Sequence, residues 1–178
     1  AVAELHAAVA TLANQFAHAL LGLGLPKGNK VAMLSRNLPE YGAVFFGTAS
    51  TGLVLNNVSV LYAPDELAWV LQKSDTEALV FDAQFADKVA AVRAQCPRIR
   101  HYICIGAGSA ALPAGLGDVR EFTQFIAGQP ASAPDVRLDE RDAFCMTYTG
   151  GTTGRPKGVL VDHRARCVTA HTVMVEEN

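Results

Sequence analysis

The chain has 178 residues, of which 50% are hydrophobic and 18% are charged, and its formal net charge is -2. A chain of this composition can bury a sizeable apolar core, which excludes disorder along its whole length. The small net charge gives no electrostatic footprint for nucleic acid, so we expect no nucleic-acid partner.

Helical and strand-like patterns alternate along the chain. Helices are predicted at residues 2–23, at 39–51, from 64 onward, at 84–95, near 119–127 and from 163 onward. Strands are predicted at residues 30–35, 53–58, 78–82, 101–105, 143–148 and 158–161. The first helix, for example, carries apolar residues at helical spacing from Leu5 to Leu23, and glycines followed by Pro26 end it.

The predicted strands are short and almost uniformly apolar, as A-L-V-F-D at 78–82 illustrates. Such strands are buried on both faces, which is typical of a parallel sheet covered by helices on each side. We therefore predict an α/β fold with a largely parallel sheet flanked by helices. The longest apolar stretch, from Tyr41 to Leu55, is shorter than the ~20 residues that a spanning helix needs, so we expect no transmembrane segment.

One segment, Y-T-G-G-T-T-G-R-P-K-G-V at 148–159, has the composition of an anion site. It contains four glycines, three threonines and two cations, and no carboxylate lies between Asp142 and Asp162. Glycine brings backbone N–H groups close to a ligand, threonine hydroxyls donate hydrogen bonds, and Lys157 and Arg155 add positive charge. Ligands of open α/β sheets bind beyond the carboxyl ends of strands, and this segment leaves a predicted strand. The sequence therefore predicts a phosphate-binding loop here.

Two other phosphate-binding patterns fit the sequence less well. The P-loop pattern G-x-x-x-x-G-K-[ST] fails because Pro156 precedes Lys157 and Gly158 follows it. The segment G-A-G-S-A-A at 106–111 matches a dinucleotide-binding fingerprint, but Pro113 breaks the helix that this fingerprint requires. We interpret 106–111 as a surface loop.

The segment T-G-G-T-T-G-R-P-K-G-V at 149–159 resembles the signature of the adenylate-forming (acyl-activating) enzyme superfamily. Its members include acyl-CoA synthetases, aryl-CoA ligases, peptide-synthetase adenylation domains and luciferases. The superfamily pattern is Thr/Ser-Ser-Gly-Thr/Ser-Thr/Ser-Gly-x-Pro-Lys-Gly-Val, and a histidine opens a helix soon after it, as His163 does here. Gly150 stands where serine is usual, which removes one hydroxyl donor.

Two further stretches, 24–41 and 63–71, resemble the N-terminal region of the same superfamily. Asn29 stands where aspartate is usual, and Leu61 where arginine is common, which indicates a divergent subgroup or weakened local contacts. The resemblance covers nearly the whole chain. It implies that residues 1–178 are the N-terminal portion of an adenylate-forming (AMP-binding) domain, whose remainder and C-terminal lid domain lie beyond them.

The resemblance implies a ligase of the acyl-CoA synthetase or fatty-acid–CoA ligase type. A carboxylic acid would react with ATP and Mg²⁺ to give an acyl-adenylate and pyrophosphate, and coenzyme A would then take the acyl group. Lys157 would hold the leaving phosphates rather than act as a base. The residues implied in nucleotide binding are Thr149, Gly150, Gly151, Thr152, Thr153, Gly154 and Lys157.

The resemblance also implies that these residues contain no catalytic group and no metal ligand, so they should be inactive on their own. A cytoplasmic location is expected, with peripheral membrane association if the acid is long. Two other functions stay open: a peptide-synthetase adenylation domain, and a noncatalytic binding domain of the same fold. The second has only the departures at Gly150, Asn29 and Leu61 in its support.

The remaining reactive and aromatic side chains are expected to be structural. The chain shows no C-x-x-C spacing, so buried reduced thiols are expected rather than a metal site or disulfides. Trp69 and residues 45–46 are expected in the core, and His163 is expected to cap or pack its helix. The cysteines are Cys96, Cys104, Cys145 and Cys167.

Overall fold

The computed structural model of the chain describes residues 2–108, 112–149 and 155–176. Within these ranges the helices are α1 Val2–Leu21, α2 Pro39–Ser50, α3 Pro64–Lys73, α4 Ala86–Arg93, α5 Phe122–Ile126 and α6 His163–Glu176. The strands are β1 Lys30–Leu34, β2 Val54–Asn57, β3 Thr76–Asp82, β4 His101–Ile105, β5 Arg120–Glu121, β6 Ala143–Thr149 and β7 Lys157–Asp162. Every predicted element is present. The segment near 119–127, predicted as one helix, is instead the short strand β5 followed by α5.

The strands form one sheet in the order β5-β4-β3-β1-β2-β6-β7. All neighbouring pairs are parallel except β6 and β7, which are antiparallel. The prediction of a largely parallel sheet is therefore confirmed. The antiparallel direction of β7 follows from the short connection before it. Only residues 150–156 join β6 to β7, whereas a parallel crossover needs a dozen or more residues.

Each face of the sheet has its own apolar core. On β1, Val31 and Met33 join the core under α1, α2 and α5, whereas Ala32 and Leu34 join the core under α3 and α4. Because strand side chains alternate between faces, a strand covered on both sides must be apolar throughout. This explains the uniform strands seen in the sequence.

Helices α1 and α2 approach each other closely at Gly47. A Cβ atom added there would lie 2.6 Å from the backbone oxygen of Ala13 and 3.0 Å from Cδ1 of Phe16. Phe16 is fully buried, and its ring stacks on Phe122 of α5 with centroids 5.6 Å apart. The absence of a side chain at residue 47 therefore allows the close packing of two helices over the core.

Two predictions about buried side chains are wrong. Phe46, expected in the core, is 56% exposed on α2, whereas its neighbour Phe45 is partly buried and packs against Phe144. Cys96, Cys104 and Cys145 are buried free thiols as predicted, but Cys167 is exposed. Cys167 lies on α6, which follows the edge strand β7. Most of the described residues of both elements are exposed to solvent.

The buried thiol of Cys104 should make stability sensitive to alkaline pH. Burial, with smaller contributions from the carboxylates of Asp82 and Glu121, raises the pKa of this thiol from 9.0 to about 11. The unfolded chain releases the proton at the lower pH. The thiol's contribution to the free energy of unfolding is therefore complete below pH 9 and should fall by about 1.4 kcal/mol per pH unit between the two pKa values.

Urea unfolding between pH 8 and pH 11 tests this expectation. Cys104→Ala should be less stable than the parent at pH 8, because it leaves a small cavity. The deficit should shrink by about 2 kcal/mol by pH 11, because the variant has no thiol to ionise. The exposed Cys167→Ala is the control and should follow the parent curve. Parallel curves for the parent and Cys104→Ala would contradict the prediction.

The departure at Asn29 has a local explanation, and nothing in the described residues explains the one at Leu61. Asn29 Nδ2 donates a hydrogen bond to Glu77 Oε1 at 2.7 Å, and Glu77 also pairs with Arg100. An aspartate at residue 29 would face the Glu77 carboxylate, so an amide suits this partner better. Leu61 is 88% exposed, and its backbone N–H donates to Ser59 Oγ. Asn29 therefore forms a local contact of its own.

None of the helices among the described residues is both long enough and apolar enough to cross a membrane.

Candidate phosphate-binding site

The two ends of the predicted phosphate loop lie side by side at one edge of the sheet. Thr149 ends β6, Lys157 begins β7, and the two residues pair in antiparallel register. The Thr149 hydroxyl donates a 3.4 Å hydrogen bond to the backbone oxygen of Lys157. Both residues are exposed. The five other predicted residues, Gly150, Gly151, Thr152, Thr153 and Gly154, lie outside the described residues.

The position of Lys157 follows from the course of β6. This strand pairs in parallel with β2, so its carboxyl end lies at the edge where ligands of open α/β sheets bind. Antiparallel pairing then places the first residue of β7 at the same edge. The backbone of Lys157 therefore lies at the ligand-binding edge, and the residue is exposed to solvent.

A cavity of about 410 Å³ lies beside Lys157. Among the described residues that line it, three are cations and none is a carboxylate. A concave site lined by one sign of charge favours ligands of the opposite sign. The lining residues are Trp69, Lys73, Met146, Tyr148, Arg155, Pro156, Lys157 and Gly158. Lys73 and Met146 were not predicted as site residues, because neither lies in the loop and only the fold brings α3 next to β6.

The outgoing end of the loop packs against α3 through aromatic rings. The Arg155 guanidinium lies 5.6 Å from the centroid of the Trp69 ring, and Trp69 meets Tyr148 edge to face with centroids 5.9 Å apart. The Tyr148 ring in turn covers Gly158, where an added Cβ atom would lie 3.1 Å from Tyr148 Cζ. Burial raises the pKa of the Tyr148 phenol, so the ring stays uncharged near physiological pH. Trp69 was predicted in the core; it is partly buried there and also lines the site.

The described residues offer no set of metal ligands near the loop. Asp65 and Glu66 line a second cavity, of about 300 Å³, next to Trp69 and Arg155. The Glu66 carboxylate accepts a hydrogen bond from the Ala63 N–H and so caps α3. No group of three His, Cys, Asp or Glu side chains within the described ranges could hold a metal ion.

His163 packs at the start of α6, as predicted. Its ring meets Phe144 edge to face with centroids 5.0 Å apart. The cap of the helix comes from the preceding residue, because Asp162 Oδ1 accepts a 2.7 Å hydrogen bond from the N–H of Ala165. The prediction that His163 would cap or pack its helix is therefore confirmed through packing, and Asp162 supplies the cap.

Comparison with known proteins decides the family. The profile described as AMP-binding enzyme matches residues 6–178, which is almost the whole chain. The chain belongs to this family. The adenylate-forming signature at 149–159 is thus part of an AMP-binding enzyme sequence, and the resemblance to this superfamily is confirmed.

Two relatives of this chain are CoA ligases. It is 36% identical over 151 residues to the medium/long-chain-fatty-acid–CoA/3-oxocholest-4-en-26-oate–CoA ligase of Mycobacterium tuberculosis strain H37Rv, covering 85% of this chain and 27% of that protein. It is 30% identical over 159 residues to the 3-methylmercaptopropionyl-CoA ligase of Ruegeria pomeroyi, covering 89% and 30%. The chain therefore spans less than a third of the length of these curated relatives.

Two solved structures share the fold of this chain. The anthranilate CoA ligase AuaEII, in complex with anthranoyl-AMP, superimposes with a TM-score of 0.83 at 28% identity, over 92% of this chain and 30% of that one. The N-terminal domain of FACL13 from Mycobacterium tuberculosis gives a TM-score of 0.69 at 29% identity, over 90% and 37%. The largely parallel sheet with flanking helices is thus the fold of these enzymes.

Proposed function

We propose that the chain supplies the phosphate-binding loop of an ATP-dependent acid–CoA ligase. The observation that carries this proposal is the pairing of Thr149 with Lys157 at the carboxyl edge of the sheet, beside a cavity lined by cations. The relatives that are CoA ligases support coenzyme A as the acyl acceptor. They favour it over the carrier-protein acceptor of a peptide synthetase.

In the first half-reaction, a carboxylate oxygen of the acid attacks the α-phosphorus of MgATP. The bond from that phosphorus to the bridging oxygen breaks, and pyrophosphate leaves with the negative charge. Transfers of this kind depend on positioning and on stabilising charge spread over oxygens. The Lys157 ammonium would donate charge-assisted hydrogen bonds to the departing phosphates. Such hydrogen bonds are about twice as strong as those between neutral groups.

The other loop residues would act through small donors. We assign the backbone N–H groups of residues 150–154 and the hydroxyls of Thr149, Thr152 and Thr153 to the β- and γ-phosphates. Lys157 then serves as a clamp on the leaving group and transfers no proton. In the second half-reaction the thiol sulfur of coenzyme A attacks the acyl carbon, AMP leaves, and a thioester forms.

We further propose that residues 1–178 are the N-terminal portion of an AMP-binding domain in a longer enzyme. The short span of the chain relative to its relatives supports this. The contacts to adenosine and to the acyl group would come from the rest of that enzyme. We place the enzyme in the cytoplasm, with peripheral contact to the membrane if the acid is a long-chain fatty acid.

Carboxylate-dependent exchange of pyrophosphate into ATP tests the proposal. The full-length enzyme should exchange only when a suitable acid is present, and added coenzyme A should yield an acyl-CoA. The 178-residue chain alone should show no exchange. No exchange with a broad panel of acids would contradict the ligase proposal. Substantial exchange by the 178-residue chain would contradict its proposed dependence on the rest of the enzyme.

A further inference from the structure

We propose that Trp69 is a positioning residue for the phosphate-binding loop. Its indole ring holds the guanidinium of Arg155 and thereby fixes the path of the chain into β7, two residues before Lys157. We call this contact the Trp69–Arg155 latch. As a statement about ATP binding, the latch rests on the function proposed above; as a statement about the chain's own contacts, it does not.

The geometry sets an aromatic face against a cation. The Arg155 Cζ atom lies 5.6 Å from the Trp69 ring centroid, within the distance at which a guanidinium is attracted to an indole face. Asp65 and Glu66 line the same cavity as Arg155. Within the described residues, however, neither carboxylate forms an ion pair with Arg155. The contact with the Trp69 indole ring is thus the interaction that the structure gives for this guanidinium.

The indole is a fixed partner because the core supports it. Trp69 packs against the apolar core under α3 and α4, and its ring lies at 84° to that of Tyr148. Tyr148 is 8% exposed, and its backbone oxygen accepts a 3.3 Å hydrogen bond from the hydroxyl of Tyr62. An exposed arginine at the end of a glycine-rich segment therefore contacts a ring that cannot easily move away.

The latch keeps two positively charged residues, Arg155 and Lys157, in the lining of one cavity. Arg155, Lys157 and Trp69 all line it, and Pro156 between the two cations has a fixed φ angle. Restraining Arg155 therefore restrains the backbone that presents Lys157. A cation–π contact at an exposed site changes an equilibrium by about twofold to fivefold, which sets the size of the expected effect.

A purely space-filling role for Trp69 makes a different prediction. If the ring only fills the gap between α3 and β6, its loss should act in the same way whether or not residue 155 is an arginine. If the latch operates, removal of either partner should abolish the effect of removing the other. A double-mutant cycle separates the two roles.

The cycle uses full-length enzyme carrying W69L, R155Q or both, with W69Y as the conservative variant that keeps an aromatic face. W69L should raise the KM for ATP in pyrophosphate exchange by about threefold to fivefold, with kcat within twofold of the parent. In the R155Q background, W69L should have no further effect on the KM for ATP. The single variant W69Y should have a KM for ATP within twofold of the parent. The latch would be overturned if the effects of W69L and R155Q on the KM for ATP multiplied in the double variant. It would also be overturned if W69Y were as impaired as W69L.

Hydrogen exchange without nucleotide separates failure of the latch from failure of the proposed function. W69L should speed amide exchange in peptides covering residues 155–160 by about threefold to fivefold, only when Arg155 is present, and leave residues 143–147 unchanged. Coupled exchange together with unchanged ATP binding in a Lys157 variant would keep the latch and remove the proposed function. Exchange at 155–160 that W69L does not alter would overturn the latch even if Lys157 binds ATP.

Discussion

Replacing Lys157 by methionine in the full-length enzyme should lower kcat/KM for ATP in pyrophosphate exchange by about 100-fold. The substitution keeps a long unbranched side chain and removes only the charge and its hydrogen-bond donors. Because the proposed contact strengthens as charge develops on the leaving pyrophosphate, kcat should fall more than KM rises. Steady-state exchange rates over a range of MgATP concentrations measure both terms.

The matched control is Lys30→Met. Lys30 begins β1 at the opposite, amino-terminal edge of the same sheet, so this variant has the same change in net charge far from the loop. It should retain parental kinetics within about twofold, since a distant charge is largely screened at physiological salt. If Lys157→Met behaved like Lys30→Met, the phosphate clamp would be wrong, and the ligase proposal would rest on family membership alone.

The second large effect is expected at Gly47, in the packing of α1 against α2. Gly47→Ala should lower the free energy of unfolding by about 2–3 kcal/mol, because the new methyl group would lie 2.6 Å from the Ala13 backbone oxygen. A backbone atom cannot move aside as a side chain can, so the two helices must separate. Urea unfolding followed by circular dichroism measures the loss.

Gly42→Ala, on the same helix and facing the same partner, is the control. Its new methyl group would meet only Val9 Cγ1, at 3.3 Å, and a valine side chain can adjust. Alanine is also favoured over glycine in a helix by about 1 kcal/mol, so this variant should be as stable as the parent or slightly more stable. Equal losses at residues 42 and 47 would show that close approach at Gly47 is not what limits the packing.

The fold class could be predicted from the sequence because each central strand is buried on both faces of the sheet and is therefore apolar along its length. A strand such as β3, with six of its seven residues buried, has no polar face, and that pattern alone indicates a covered parallel sheet. The location of the candidate site was also predictable. Glycine, threonine and lysine follow the partly buried strand β6, so local composition and chain order point to the same edge.

The remaining features depend on contacts between distant parts of the chain. Nothing near Trp69 in the sequence indicates that its ring meets Arg155, because α3 and the start of β7 become neighbours only through the order of the strands. The exposure of Phe46 likewise depends on which parts of the chain the fold places beside α2. The spacing of apolar residues predicts which side of α2 faces the core. It does not predict how many of those side chains a neighbouring element covers.

The reversal of the chain between β6 and β7 has a consequence for how this region tolerates change. Side chains of a strand alternate in direction, so a slip of one residue in the pairing of Thr149 with Lys157 would turn the lysine to the opposite face of the sheet. Exchanging one loop residue for another removes a single donor. Deleting a residue between 149 and 157 threatens the orientation of the whole strand that follows. Loop length should therefore be held more strictly than loop composition, and any redesign of this region should begin by keeping the number of residues constant.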